Sequence, residues 1–124
     1  MKNANDSFLA SILKDGEKYA GILLGKDGEP DLHIILLPGE AKRVNFKGAE
    51  EFAAKIAGFL PSRRMQSLLF ANLKEEFSSN WYWSNQQREG GSDWIQTFRY
   101  GAQSWDSANR IYRARAVRSI RKSA

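Results

Sequence analysis

The sequence predicts an α+β domain. Three observations carry that prediction: two apolar, strand-like runs flanking a turn over Tyr19–Leu37, apolar stripes at helical spacing between Lys47 and Phe77, and alternating, aromatic-rich stretches from Trp81 to Ile120. A chain of 124 residues fits one ordinary domain, and 42% apolar residues suffice for a single core. The expected division is an N-terminal extension over residues 1–17, one domain over 18–121 and a tail over 122–124.

Each element has a local reason. Ser7–Leu13 reads as a short helix, with Phe8, Leu9, Ile12 and Leu13 on one side and Asp6 or Ser7 available as its N-cap. Tyr19–Gly25 and Leu32–Leu37 are apolar runs joined by the turn residues Lys26-Asp27-Gly28-Glu29-Pro30, the strongest hairpin signal in the chain, and Pro38-Gly39 closes the second run. Val44–Phe46 is briefly extended. Over Lys47–Ala57, the residues Phe52, Ala53, Ile56 and Ala57 recur at helical spacing, with Gly58 expected as the stop. Ser62 is expected to cap a second helix, whose stripe of Met65, Leu68, Leu69 and Leu73 (Phe70 beside it) runs to about Phe77. Trp81–Ser84 is a short aromatic strand and Gln86–Ser92 a polar, Gly-containing loop. Asp93–Tyr100 alternates, Gly101–Ala108 reads as a turn region carrying Trp105, and Arg110–Ile120 alternates again as one strand.

Composition excludes several classes of function. Cysteine is absent, which removes disulfides, thiol nucleophiles and thiolate metal sites, and suits a reducing cytosol. No apolar run approaches the roughly eighteen residues of a membrane span, and the N-terminus lacks the apolar stretch of a secretory signal. Asn5-Asp6-Ser7 matches the glycosylation triplet, which means little without secretion. The net charge of +5 is local: Arg110, Arg113, Arg115, Arg118, Arg121 and Lys122 face no acid after residue 109, whereas the rest holds 13 basic and 14 acidic groups.

Four separated stretches, LPSRRMQSLLFANLKEEF from Leu60, WYWS from Trp81, DWIQTFRYG from Asp93 and RARAVR from Arg113, occur in the order found in phage and prophage proteins of the DUF1566 family. The upstream KYAGILLGKDGEPDLHIILLPGEA resembles the N-terminal hairpin of its small members, so the resemblance covers nearly everything after residue 18. It implies a C-type-lectin-like fold, shared with formylglycine-generating enzymes and with the variable receptor-binding proteins of diversity-generating retroelements. It does not by itself imply a function. Formylglycine-generating enzymes rely on cysteine, which this chain lacks. The calcium motif of sugar-binding lectins has only a superficial echo in Glu29-Pro30-Asp31, which sits in the hairpin turn without a Trp-Asn-Asp mate.

Catalytic constellations are missing from the sequence. The sole histidine, His33, lies within a strand and has no second histidine or cysteine to complete a metal site, so neither metal nor cofactor is expected. Gly21–Asp27 mimics a phosphate loop but has three residues between its glycines and aspartate where Ser or Thr should stand. Glu50-Glu51 suits the start of its helix and Glu75-Glu76 reads as solvated charge.

Three clusters remain. Among the aromatic residues from Trp81 to Tyr112, Trp83, Trp94 and Phe98 are assigned to the core, and Trp105 is expected to be exposed with Tyr82 and Tyr100. In the arginine strand, Arg115 and Arg118 are expected to anchor loop carbonyls or acids. Arg110, Arg113, Arg121 and Lys122 form the candidate nucleic-acid surface. The segments Gln86–Ser92 and Gly101–Ala108 lie on the ligand-facing side in related folds. The expected partner surface is therefore Trp105, Arg99 and Tyr100 with Gln86, Gln87, Arg88 and Tyr82. The resulting expectation is a non-enzymatic, phage-encoded protein-binding module, a virion accessory or an inhibitor of a host protein such as an anti-CRISPR, in the host cytoplasm or the virion. The alternatives are nucleic-acid binding through the basic C-terminal strand and glycan or receptor binding through a lectin-like surface.

Overall fold

The structure, a computed structural model, describes residues 4–123, with side chains from residue 7 onward. Among these residues the chain is α+β, with α1 (Ala4–Ile12), β1 (Lys18–Leu23), β2 (Leu32–Leu36), β3 (Ala41–Val44), α2 (Phe46–Lys55), α3 (Arg63–Leu73), a 3₁₀ turn (Lys74–Glu76), β4 (Trp81–Arg88), β5 (Ser92–Thr97), β6 (Gln103–Ser107), β7 (Tyr112–Ala114) and β8 (Val117–Arg121). The strands form two sheets, ordered β1-β2-β8 and β3-β7-β4-β5-β6. No described helix is long and apolar enough to cross a membrane.

The expected hairpin is present as β1–β2. Asp27 (φ 53°) and Gly28 (φ 86°) supply the two left-handed positions of its turn, and the Glu29 amide donates to the Lys26 carbonyl at 3.0 Å. A bulge between Tyr19 and Gly21 frees the Ala20 carbonyl, which accepts from Asn72 Nδ2 of α3 at 2.6 Å. α3 thereby spans both sheets. Met65 and Leu69 pack with Ala20, Ile34, Leu36, Tyr82, Phe98 and Val117 in one core cluster. α2 covers the opposite face of the larger sheet, where Phe46, Ala49 and Ala53 meet Trp83, Ile95, Ala114 and Ala116. Each fully buried large side chain contributes roughly 1.5–3 kcal/mol.

Several boundaries depart from the sequence reading. α1 begins at Ala4, so neither Asp6 nor Ser7 caps it. α2 ends in a Schellman motif whose left-handed residue is Ala57 (φ 59°), not Gly58; the Gly58 and Ala57 amides donate to Ala53 and Ala54 carbonyls at 2.9 and 3.1 Å. Gly58 is needed for a different reason: a Cβ there would lie 2.5 Å from Leu37 Cδ1 and 2.9 Å from the Val117 carbonyl oxygen. Ser62 caps α3 as expected, accepting from the Met65 amide at 3.1 Å, but regular helix stops at Leu73 and finishes as the 3₁₀ turn.

The larger correction concerns the last third. Gln86–Arg88 belong to β4, leaving only Glu89–Gly91 as a turn, and Gln103–Ser107 form the edge strand β6 rather than a turn. The expected single strand Arg110–Ile120 is broken at Arg115-Ala116, so that β7 joins the large sheet and β8 the small one. At this crossing Arg115 is buried. Its Nη1 donates to the Glu76 carbonyl at 2.5 Å and its Nη2 to the Leu37 carbonyl at 2.9 Å, and burial lowers its pKa. Arg118 plays a parallel part for the N-terminus, gripping Glu17 in a bidentate pair at 2.8 and 3.0 Å and the Ile12 carbonyl at the end of α1 at 2.8 Å. The anchoring roles expected for these two arginines are therefore observed.

Candidate functional site

The candidate site starts from an irregularity in β4. Trp83 faces Ile95 and Gln87 faces Asp93, so Ser84–Gln86 oppose Trp94 alone. Just ahead of this bulge a buried glutamine of α3 meets the strand: Gln66 Nε2 donates to the Tyr82 and Trp83 carbonyls, both at 3.2 Å. Gln96 Nε2 donates to the Gln66 carbonyl at 3.0 Å, and Gln103 Nε2 donates to Gln96 Oε1 and to the Arg63 carbonyl, both at 2.8 Å. The first turn of α3 is thus tied to β4, β5 and β6 by side-chain amides.

Arg63 is held on three sides. Its amide donates to Gln86 Oε1 at 2.8 Å, its carbonyl accepts from Gln103, and its Nε donates to Gln103 Oε1 at 3.0 Å. Its guanidinium carbon therefore lies 3.4 Å from the centre of the Trp94 ring. Trp94 pairs in register with Trp105 on β6, and the two indoles meet edge to face with centroids 5.1 Å apart. Arg88, across β5 at Ser92, places its guanidinium 3.9 Å over Trp105 and 5.6 Å from Trp94. The result is a ladder, Arg63–Trp94–Trp105–Arg88, on the face and edge of the large sheet. Trp105 is 50% exposed. Neither arginine belongs to an ion pair among the described residues.

The structure brings together only part of the expected surface. Trp105, Arg88 and Gln86 belong to the ladder or its support. Gln87 is opposite Asp93, on the other face of the sheet. Arg99 and Tyr100 lie in the β5–β6 turn, at the far end of that hairpin, where the Arg99 guanidinium sits 5.0 Å over the exposed Tyr100 ring. Tyr82 is not exposed at all: it is 1% accessible, and its hydroxyl donates to Glu40 Oε1 at 2.5 Å and accepts from the Ser78 amide. Burial, with the Glu40 bond second, raises its pKa. Trp83 and Phe98 are core residues as expected, whereas Trp94 is half-buried beneath Arg63. Arg63, Gln66, Gln96 and Gln103 were not expected in a site. A signal existed, since Trp94 alternates with Ser92 and Gln96, polar neighbours that mark this face as incompletely apolar.

The candidate nucleic-acid residues do not form one stripe. Arg113 pairs with Glu40 at 2.6 Å and Arg110 lies 3.7 Å from Asp106, both near β7. Arg121 and Lys122 lie at the end of β8, lining an open hollow of about 610 Å³ with Gly28–Asp31. The strand break separates the two pairs. That hollow has no aromatic lining and lies away from the ladder.

The described residues hold no group of three or more His, Asp or Glu arranged for a metal ion. His33 is buried between Phe8 and Tyr19, with Nδ1 2.9 Å from the Tyr19 hydroxyl. Behind the ladder strand, Asp93 is 1% accessible with Oδ1 unpartnered by any protein group, and burial, then the Glu50 charge, raises its pKa. Fold and geometry together define an α+β domain carrying a solvent-facing arginine–tryptophan ladder on an open sheet edge. No family model matches this chain, and no curated protein matches it.

Proposed function

We propose that this chain is a non-enzymatic protein-binding module of the phage type that its DUF1566-like motifs imply, acting in the host cytoplasm or the particle as a virion accessory or an inhibitor of a host protein. The observation that carries this reading is the Arg63–Trp94–Trp105–Arg88 ladder. Tryptophan and arginine are the residue types most enriched at energetic centres of interfaces, and a partner meeting side chains already held in place loses little further rotamer entropy. β6 ends its sheet, so the ladder stands beside an edge that a partner can approach. Binding without transformation fits a ladder of guanidiniums and indoles, which offers no nucleophile, and a His33 that is buried and hydrogen-bonded on the other sheet.

The test is capture of partner protein by the tagged chain from infected or lysogenic cells, read by mass spectrometry and then by affinity measurement with the partner identified. Substituting Trp105→Ala with Arg88→Ala is expected to weaken that affinity by at least about 2 kcal/mol. Arg99→Ala with Tyr100→Ala, at the far end of the hairpin, is expected to change it little. Undiminished affinity of the Trp105/Arg88 variant, with its fold intact, sinks the assignment.

A further inference from the structure

The opposite edge of the large sheet carries a second aromatic–cationic cluster built on a different plan. β3 is that edge, and its register to β7 slips between Ala41 and Val44, so Lys42 and Arg43 fall in the irregular stretch and are exposed. They line a hollow of about 490 Å³ whose floor includes Trp81 and Tyr112. Its neighbour, about 560 Å³, shares Ile111 and Tyr112 and is lined by Arg110 and Asp106, themselves 3.7 Å apart. The two form one track, with Lys42 and Arg43 at one end and Arg110 at the other. Exposed apolar surface from Ile111, 49% accessible, lies between them.

Two features set the chemistry. First, the local acids are committed: Glu40 accepts from Tyr82 at 2.5 Å and Arg113 at 2.6 Å, and Asp106 accepts from Tyr112 at 2.5 Å and the Ser107 amide at 2.7 Å. Lys42 and Arg43 enter no ion pair among the described residues. Second, Trp81 takes part in no aromatic or cation–ring pair among those residues. It offers a half-buried indole to the hollow, whereas at the ladder guanidiniums already lie over Trp94 and Trp105. Bare ring surface flanked by uncompensated cations suits a ligand that alternates flat rings with phosphates. We infer that the β3–β7 edge binds single-stranded nucleic acid, with Lys42 and Arg43 on phosphates and Trp81 against a base.

The probe is a fluorescein-labelled oligothymidylate, followed by anisotropy at low salt and through a salt series. The whole chain is expected to bind it with a steep salt dependence. Lys42→Glu with Arg43→Glu, both exposed and free of structural side-chain bonds among the described residues, is expected to weaken binding more than ten-fold and to flatten the salt slope by about 1.4. Trp81→Leu is expected to weaken it roughly ten-fold. Arg121→Glu with Lys122→Glu makes the same change in net charge elsewhere and is expected to leave binding within about two-fold. No binding at low salt overturns the inference. An equal loss from the Arg121/Lys122 variant does so as well, because overall charge would then account for the attraction. So does competition by poly-L-glutamate as effective as that by unlabelled oligonucleotide, since the site would then read charge without rings. The partner-capture test on Trp105 and Arg88 uses neither these residues nor this probe, so the two readings fail separately.

Discussion

The two edges of the large sheet use the same residue types to opposite ends. At β6, arginine and tryptophan are spent on each other: the guanidiniums of Arg63 and Arg88 lie over indoles, and the Gln103 side chain fixes that of Arg63 there. At β3, among the described residues, Lys42 and Arg43 enter no ion pair and Trp81 no cation–ring pair. The difference shows that composition alone does not set what an aromatic–basic surface recognises. A preformed stack presents a rigid shape, whereas separated charges and bare rings present a field and a platform.

The strongest way to break the comparison is to break the frame that holds both edges. Arg115→Met strips the Leu37 and Glu76 carbonyls of their buried donor, and is expected to cost about 3 kcal/mol in urea unfolding and to loosen both edges together. Gln66→Leu is more selective: removing the buried donor from the Tyr82 and Trp83 carbonyls is expected to cost about 2 kcal/mol and to disturb the ladder while sparing oligonucleotide binding at β3. Arg63→Ala is expected to cost about 1 kcal/mol and to alter the near-ultraviolet circular dichroism of the Trp94–Trp105 pair, with far-ultraviolet signal unchanged.

Asp93 gives a change of opposite sign. Its pKa is raised in the fold, so the native state holds a proton that the unfolded chain releases, and stability drops as pH rises from the ordinary carboxylate range through the raised value. Asp93→Asn is expected to be neutral below about pH 3 and increasingly stabilising, relative to Asp93, as pH rises to neutral, read as the difference between the two proteins' unfolding curves. Glu17 and Asp106 shift downward and tilt the common background the other way, which the subtraction removes. The smallest effect belongs to Lys42→Glu with Arg43→Glu, expected to move stability by no more than about 0.5 kcal/mol despite its consequence for binding. A larger loss would mean that these cations support the fold.

What was legible followed local chemistry. The Asp27-Gly28 turn, the Ser62 cap and the burial of Trp83 and Phe98 each rest on neighbours a few residues away or on simple alternation. What was not legible depended on distant partners. Gln103–Ser107 is polar and reads as turn, yet pairing with Ser92–Gln96 makes it a strand, tertiary pairing overriding weak propensity. Tyr82 faces inward because α3 lies across it, and nothing within WYWS says which face will be covered. The break at Arg115-Ala116 carries no glycine or proline to announce it. The ladder was half visible: Trp105 and Arg88 stood out, but their assembly with Arg63 required the bulge at Ser84–Gln86, which alternation cannot reveal.

The crossing at Arg115-Ala116 also bears on how the molecule is made. β8 pairs with β2, Leu36 opposite Val117, and β7 sits between β3 and β4, so each sheet awaits residues 112–121. A ribosome delivering this chain in order must release residues 112–121 before either layer can close, leaving the hairpin and helices to wait as unfinished pieces. A nascent chain halted before residue 112 should remain open to protease.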